Sequence, residues 1–248
     1  MGKYTELHDA YLSVVEALKH GGIANRAQIS ITWIESEDLT PESADALFAD
    51  VDGIIVPGGF GGRGVEGIIY AATYARTHQI PYLDICLGMQ MAIVDFARNV
   101  LQHTDAASAE FDTESSYPVI DLMPEQKSVT DLGGTMRLGA YPCVLKKGTI
   151  AYSLYGQEYI SERHRHRYEV NNDYRQELQD AGMILSGISP DNRTVEMIEL
   201  KGHLFFIGTQ AHPEFKSRPN RAHPLFRGLI QAAIAFQAKT KSTKAYYA

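Results

Sequence analysis

The first two-fifths of the chain alternates between two hydrophobic rhythms. Leu12, Val15 and Leu18 recur at helical spacing behind Asp9, a residue suited to a helix N-cap, and Gly21-Gly22 ends the segment. The run Ile29-Ser30-Ile31-Thr32-Trp33-Ile34 instead alternates with period two, the signature of a strand. Residues 41–48 suit a short helix, and residues 53–56 a short buried strand broken by Pro57-Gly58-Gly59. Residues 65–78 predict a helix, 80–85 a strand and 89–100 a further helix. Strands separated by helices imply βαβ units. The expected fold class is therefore α/β, an open and mostly parallel central sheet flanked by helices.

The middle of the chain breaks this pattern. Residues 102–148 are rich in turn formers, and Gly133-Gly134 and Gly139 flank Thr135-Met136-Arg137-Leu138, which reads as a flexible loop in a β-rich insertion. Strands return at 195–200 and 204–208, and a last helix is expected over 224–238. No repeat of 20–50 residues is visible. Residues 1–239 read as one domain and residues 240–248 as a disordered tail. The opening is unusual. An α/β domain of this kind should start with a buried strand, yet Lys3-Tyr4 runs almost directly into the first helix. The expectation is a chain cut from a longer protein, its first strand missing or supplied by only a few residues.

Composition narrows the classes. A chain of 248 residues buries roughly 70–75% of its extended surface and needs neither disulfides nor metal to fold. With 44% hydrophobic and 21% charged residues it is not disordered, collagenous or coiled-coil. A net charge of −7 disfavours nucleic acid and anionic membranes as partners. No apolar run approaches the ~18 residues of a membrane span. Two cysteines are too few for a disulfide framework or a cysteine zinc site, and the low count fits a reducing, cytoplasmic setting. Met1-Gly2-Lys3-Tyr4-Thr5-Glu6 carries no apolar signal core.

Candidate chemistry begins at Cys86, in Ile85-Cys86-Leu87-Gly88-Met89-Gln90, between an expected strand and an expected helix. A strand–turn–helix of this kind carries a nucleophile at the sheet's C-terminal edge. The helix start aims free N–H groups at the sulfur, favouring thiolate and able to hold an oxyanion. A buried structural cysteine is the alternative. The nucleophile needs a histidine in space rather than in sequence. His212 follows an apolar strand and opens His212-Pro213-Glu214, where residues two apart share a face and Pro213 stiffens the pair. Glu214 can thus orient the imidazole. A surface turn is the alternative. Gly59-Phe60-Gly61-Gly62-Arg63-Gly64 spells GxGxxG, with Asp84 about 20 residues on, the outline of a dinucleotide fingerprint. Pro57 ahead of the loop, and Cys86 only two residues past Asp84, argue instead for an oxyanion hole. Arg163-His164-Arg165-His166-Arg167 is the densest basic run, a solvated face or a site for anions.

Together, Pro57-Gly58-Gly59-Phe60-Gly61, the Cys86 segment and His212-Pro213-Glu214 resemble the class I (triad) glutamine amidotransferases. Gly2-Lys3-Tyr4, Asp9-Ala10-Tyr11, residues 133–139 and Arg163-His164-Arg165-His166-Arg167-Tyr168-Glu169 are more closely similar to the glutaminase domains of the CTP synthase family. The resemblance implies a flavodoxin-like sheet and a Cys86-His212-Glu214 triad with an oxyanion hole at Gly59 and Leu87. It implies glutamine held by Gly59, Leu87, Gly88, Met89, Gln90, Glu110 and Arg167. Cys86 would form a thioester and release ammonia, with no metal or cofactor in this domain. ATP, Mg and UTP would belong to a synthetase domain that this chain does not contain, joined in cis and carrying the oligomer contacts. Residues 133–139 resemble the region linked to activation by GTP.

Two positions depart from the family pattern. Asp84 stands where glycine is usual, and Ala211 where a bulky aromatic precedes the histidine. A carboxylate near the sulfur disfavours thiolate. The departures support an alternative, a catalytically impaired remnant that binds glutamine or a partner domain. A dinucleotide-dependent oxidoreductase, resting on the glycine loop, is the third reading.

Overall fold

A computed structural model describes residues 1–123 and 136–246, with only the helical backbone given over 241–246. Helices are α1 Leu12–Asn25, α2 Ala44–Leu47, α3 Val65–His78, α4 Leu87–Asn99, α5 Ile150–Tyr155, α6 Arg175–Asp180 and α7 Pro224–Tyr246. Strands are β1 Ile54–Val56, β2 Tyr82–Ile85, β3 Ala107–Ser108, β4 Pro118–Asp121, β5 Arg137–Leu145, β6 Tyr159–His166, β7 Glu169–Val170, β8 Met183–Ile188, β9 Val195–Leu200 and β10 Phe206–Thr209. Seven strands form one sheet in the order β1-β2-β10-β9-β8-β5-β6, and β3-β4-β7 form a small second sheet.

The α/β architecture is the expected one. The central strands β1, β2 and β10 run parallel, and β9, β8, β5 and β6 follow, each antiparallel to its neighbour. The antiparallel share exceeds the sequence expectation because β8 and β9 join the main sheet as an antiparallel pair and the insertion adds β5 and β6 as another. Two apolar clusters cover the sheet. One carries α3 and α4 residues such as Ile68, Ala72, Met91 and Ile93. The other carries Val14 and Leu18 of α1 with Phe226 and Ile230 of α7.

Several expectations change in detail. Residues 29–34 form no strand. Helix α1 buries Val14, Ala17, Leu18 and Gly21, while Leu12 is exposed. Gly21-Gly22 sit inside it, because the backbone of Phe226 on α7 passes 2.9 Å from where a Cβ on Gly21 would stand. Arg137 and Leu138 lie in β5, not in a loop, whereas Gly133, Gly134 and Thr135 fall outside the described residues. Helix α7 continues past the expected end at Ala238 to Tyr246, so residues 240–246 of the expected disordered tail are helical backbone. Among the described residues, no helix is long and apolar enough to cross a membrane.

Candidate active site

Sheet register gathers the candidate residues. Thr209 at the end of β10 pairs with Ile85 at the end of β2, and Val56 at the end of β1 pairs with Asp84. All three strands are parallel, so their exits lie side by side. Cys86 leaves the middle strand, Pro57-Gly58-Gly59 leaves one neighbour and His212 leaves the other. Cys86 takes φ 55° and ψ −105°, a strained turn that caps α4. Its N–H donates to the Thr209 carbonyl at 2.7 Å, which ties the turn to β10. The next N–H groups, of Leu87, Gly88 and Met89, open the helix ahead of the first turn's bond from Gln90 N–H to the Cys86 carbonyl at 3.2 Å.

Close approach explains the glycine after the turn. A Cβ on Gly88 would stand 2.8 Å from the Val56 carbonyl and 2.9 Å from the Asp84 Cβ. Helix α4 therefore seats directly on β1 and β2, and Cys86 is held at the sheet edge.

His212 is positioned by its own backbone, whose N–H donates to the Arg163 carbonyl of β6 at 2.7 Å. Its Nδ1 lies 2.8 Å from Glu214 Oε1, and both side chains are largely buried. The other ring nitrogen, Nε2, is buried without a conventional hydrogen-bond partner. It is turned toward the Cys86 thiol across Gly58. A Cβ on Gly58 would lie 3.0 Å from His212 Cε1, 3.8 Å from Nε2 and 3.4 Å from the Cys86 Cβ. Burial opposes charge on the imidazole, but Cys86 and Glu214 outweigh it and raise His212 to about 10. The Cys86 thiol also lies 3.9 Å from the Arg165 carbonyl.

The remaining candidates divide. Gly59 and Leu87 are neighbours, with a Leu87 methyl 3.5 Å from the Gly59 Cβ position. Leu87, Met89 and Gln90 point their side chains into the interior, at 2%, 0% and 3% exposure, so this segment meets the cleft through its backbone. The Gln90 amide donates to the Tyr168 carbonyl at 3.0 Å and to Gln210 at 3.1 Å, and so braces the approach to Arg167. Glu110, just past β3, is exposed and interacts electrostatically with Lys3 and Arg167.

Sequence reasoning assigned no role to Lys3 or Gly58. Lys3 is 1% exposed, and its ammonium donates to the carbonyls of Phe60 and Gly61, fastening the glycine loop from inside. The Phe60 N–H is held by the Tyr4 hydroxyl at 3.1 Å. The nearby Gly2-Lys3-Tyr4 motif was the available signal.

Asp84 is the anomaly. It is fully buried, and neither carboxyl oxygen has a hydrogen-bond partner. Burial lifts its carboxyl well above the ordinary range. Gly208 beside it leaves the room it needs, since a Cβ there would fall within 2.4 Å of Asp84 Oδ1. Ala211 is likewise buried. Residues 163–166 of the basic run form the second half of β6, with Arg163 and Arg165 outward and His164 and His166 buried, and Arg167 follows the strand. Among the described residues no cluster of three metal-ligating side chains occurs.

The structure thus brings a cysteine on a strand–helix turn beside an imidazole in contact with a carboxylate, in an α/β fold. The family is shown by comparison. Residues 6–232 match the description Glutamine amidotransferase class-I, and the chain belongs to that family. It is 58% identical over 234 residues to the CTP synthase of Clostridium kluyveri, covering 94% of this chain and 44% of that protein. It is also 58% identical over 237 residues to the CTP synthase of Staphylococcus carnosus, covering 96% and 44%. The chain thus spans less than half the length of these curated relatives. Among solved structures, the CTPS glutaminase domain of Trypanosoma brucei with bound acivicin superposes with TM-score 0.89 at 38% identity, covering 94% of this chain and 92% of that one. This family assignment overturns the dinucleotide reading of the glycine loop, whose carbonyls are taken by Lys3.

Proposed function

We propose that the chain hydrolyses the side-chain amide of glutamine to glutamate and ammonia, with Cys86 as nucleophile, His212 as proton carrier and Glu214 as its orienting carboxylate. The observation that carries this reading is the His212–Glu214 contact at 2.8 Å beside the Cys86 turn. The Cys86 sulfur attacks the amide carbon, and the thiol proton resides on His212. The tetrahedral oxyanion accepts from the N–H groups of Gly59 and Leu87. Collapse breaks the C–N bond, His212 gives its proton to the leaving nitrogen, and ammonia departs from a thioester. Water, deprotonated by His212, then cleaves the thioester and restores the thiol. Glu110 and Arg167 flank the cleft with opposite charges, suited to the α-amino and α-carboxylate groups of an amino acid, and the backbone at 87–90 lines its floor.

The partners belong to the same proposal. Ammonia passes to a synthetase domain joined in cis, where UTP is aminated to CTP with ATP and Mg, and no residue of this chain is assigned to those ligands. Support comes from the CTP synthase names and greater length of the relatives. GTP activation through residues 133–139, assembly through the synthetase domain and a cytoplasmic location complete the reading.

A second reading is favoured by one observation, the unpartnered carboxyl of Asp84 two residues from Cys86. On that reading the cleft binds glutamine without turning it over. Ammonia release from glutamine, lost in Cys86→Ala, together with labelling of Cys86 by an electrophilic glutamine analogue, supports hydrolysis. Unchanged slow release in Cys86→Ala rejects it, and glutamine binding without turnover selects the second reading.

A further inference from the structure

A second carboxylate–imidazole pair lies behind the candidate active site. Glu162 of β6 and His223, one residue ahead of α7, are both buried. Glu162 Oε1 lies 3.0 Å from His223 Nε2 and accepts the Tyr155 hydroxyl at 3.1 Å. Lys216 Nζ stands 3.4 Å from the same oxygen. His223 Nδ1 accepts the Leu225 N–H at 3.3 Å, so the ring carries its proton on Nε2, aimed at Glu162. Burial opposes charge on Glu162, but His223, Lys216 and Tyr155 outweigh it and hold the carboxyl below its ordinary range.

Neither residue belongs to the triad, yet the pair grips the chain that carries it. Lys216 ends the short 3₁₀ turn Pro213–Lys216, which contains Glu214. Its ammonium bridges Glu162 and the Ser161 carbonyl. The hydroxyl of Ser217, the next residue, accepts the His223 N–H at 3.2 Å and lies 3.0 Å from His20 Nδ1. The turn needs such anchors because its own bonds are long. Phe215 N–H to the His212 carbonyl and Ser217 N–H to the Glu214 carbonyl are both 3.4 Å. The strand of Glu162 supplies the other contacts. β6 is the last strand of the main sheet, so β5 takes only one of its edges. The free edge offers the carbonyls of Ser161, Arg163 and Arg165, two residues apart and so roughly 7 Å from one to the next. In that order they meet the Lys216 ammonium, the His212 N–H at 2.7 Å and the Cys86 thiol at 3.9 Å.

We propose that Glu162 is a positioning residue for the triad. Paired with His223, it holds residues 212–217 against the free edge of β6 and so sets where the His212 imidazole meets the Cys86 thiol. This role rests on the glutamine-hydrolysis reading for its effect on turnover, and on geometry alone for its effect on the imidazole. Proton transfer between Cys86 and His212 tolerates little error, since a displacement of about 1 Å costs about 100-fold in rate. Loosening the turn moves His212 and Glu214 and leaves Glu110 and Arg167, which lie on other segments, in place. The loss therefore falls on kcat rather than on KM.

The test compares Glu162→Leu with Glu162→Gln in the full chain. Leucine removes the contacts to His223, Tyr155 and Lys216 at similar volume. Glutamine keeps an acceptor for His223 and Tyr155. Glu162→Leu is expected to lower kcat for ammonia release about 10- to 100-fold, with KM changed by less than about threefold. In imidazole NMR it is expected to move the His212 titration from about 10 toward 6.5. Glu162→Gln is expected to recover most of both. A folded Glu162→Leu protein with the parent's kcat and His212 titration overturns the proposal, as do equal losses in the two variants. Where Glu162→Leu does not fold, Lys216→Met decides, because the Lys216 side chain is 41% exposed and its loss leaves the core intact. That variant is expected to lose about threefold in kcat and to shift His212 the same way, and parent values of both overturn the proposal. A parent chain that releases no ammonia refutes hydrolysis, and the His212 titration of the variants then decides on Glu162 by itself.

Discussion

Asp84→Asn separates the charge of the buried carboxyl from its shape. In the folded chain both Asp84 oxygens lack partners, and burial raises the group well above 3.8. In the unfolded chain it ionises near that ordinary value. Between the two pKa values the folded state holds one more proton than the unfolded state, so stability falls as pH rises. The slope is about 1.4 kcal/mol per pH unit for as long as the folded carboxyl stays protonated. Asparagine keeps the volume and lacks the slope. Urea midpoints of both proteins from pH 4 to pH 8, at constant m, give the difference directly. The advantage of Asp84→Asn should grow with pH and then level off where the folded carboxyl ionises. Other titrating groups cancel, since they are common to both proteins. Parallel curves would refute the reasoning, because they require an ionised and solvated carboxylate. Asp84→Gly goes further. It relieves an unsatisfied buried group costing about 1–3 kcal/mol and sets against this about 0.5–1 kcal/mol of glycine backbone entropy and the cavity left behind. It also removes bulk beside the Cys86 turn, so glutaminase turnover should rise. A folded Asp84→Gly protein with equal or lower turnover counts against that argument.

Other outcomes follow from the same geometry. Gly58→Ala puts a methyl 3.0 Å from His212 Cε1 and 3.4 Å from the Cys86 Cβ. Ammonia release should fall about 10- to 100-fold while the urea midpoint stays nearly unchanged. Imidazole NMR should show His212 titrating near 10, and Cys86→Ala and Glu214→Gln should each lower it. The linked stabilisation is complete below the ordinary 6.5 and is lost as pH rises through about 10, so a His212 titrating near 6.5 in the parent protein would contradict the coupling. Gly88→Ala drives a methyl against the Val56 carbonyl and Asp84, at 2.8 and 2.9 Å. It should cost about 1–3 kcal/mol in urea unfolding. Asp84→Gly in the same chain should recover part of this, because it removes one of the two obstacles.

The chain's own pattern was readable wherever burial is apolar. Helix α3 falls on the expected residues 65–78, and β9 on 195–200, because their inward positions are Ile, Ala, Val and Met at regular spacing. Strand β6 escaped the same reading. Its buried positions after Ile160 are Glu162, His164 and His166, satisfied by partners such as His223 at 3.0 Å rather than by hydrocarbon. Hydrophobic periodicity cannot register polar residues whose burial depends on distant partners. The basic run consequently read as a charge cluster, although half of it is interior.

What the sequence determined by itself is local: the alternation of strands and helices, the turn that holds Cys86, and the two-residue spacing that lets Glu214 reach His212. What only the tertiary structure decided is whatever needs a neighbour from far along the chain. Strand order β1-β2-β10 brings Gly58 and Cys86 together with His212, which lies more than 100 residues further along the chain. Packing against Gly88 and Gly208 makes Asp84 a buried, unpartnered acid rather than a surface one. Residues 29–34 have the rhythm of a strand yet form none, only the Ile34 carbonyl accepting from the Gly2 N–H, because a strand is defined by hydrogen bonds to a second backbone, which a chain's own pattern cannot supply.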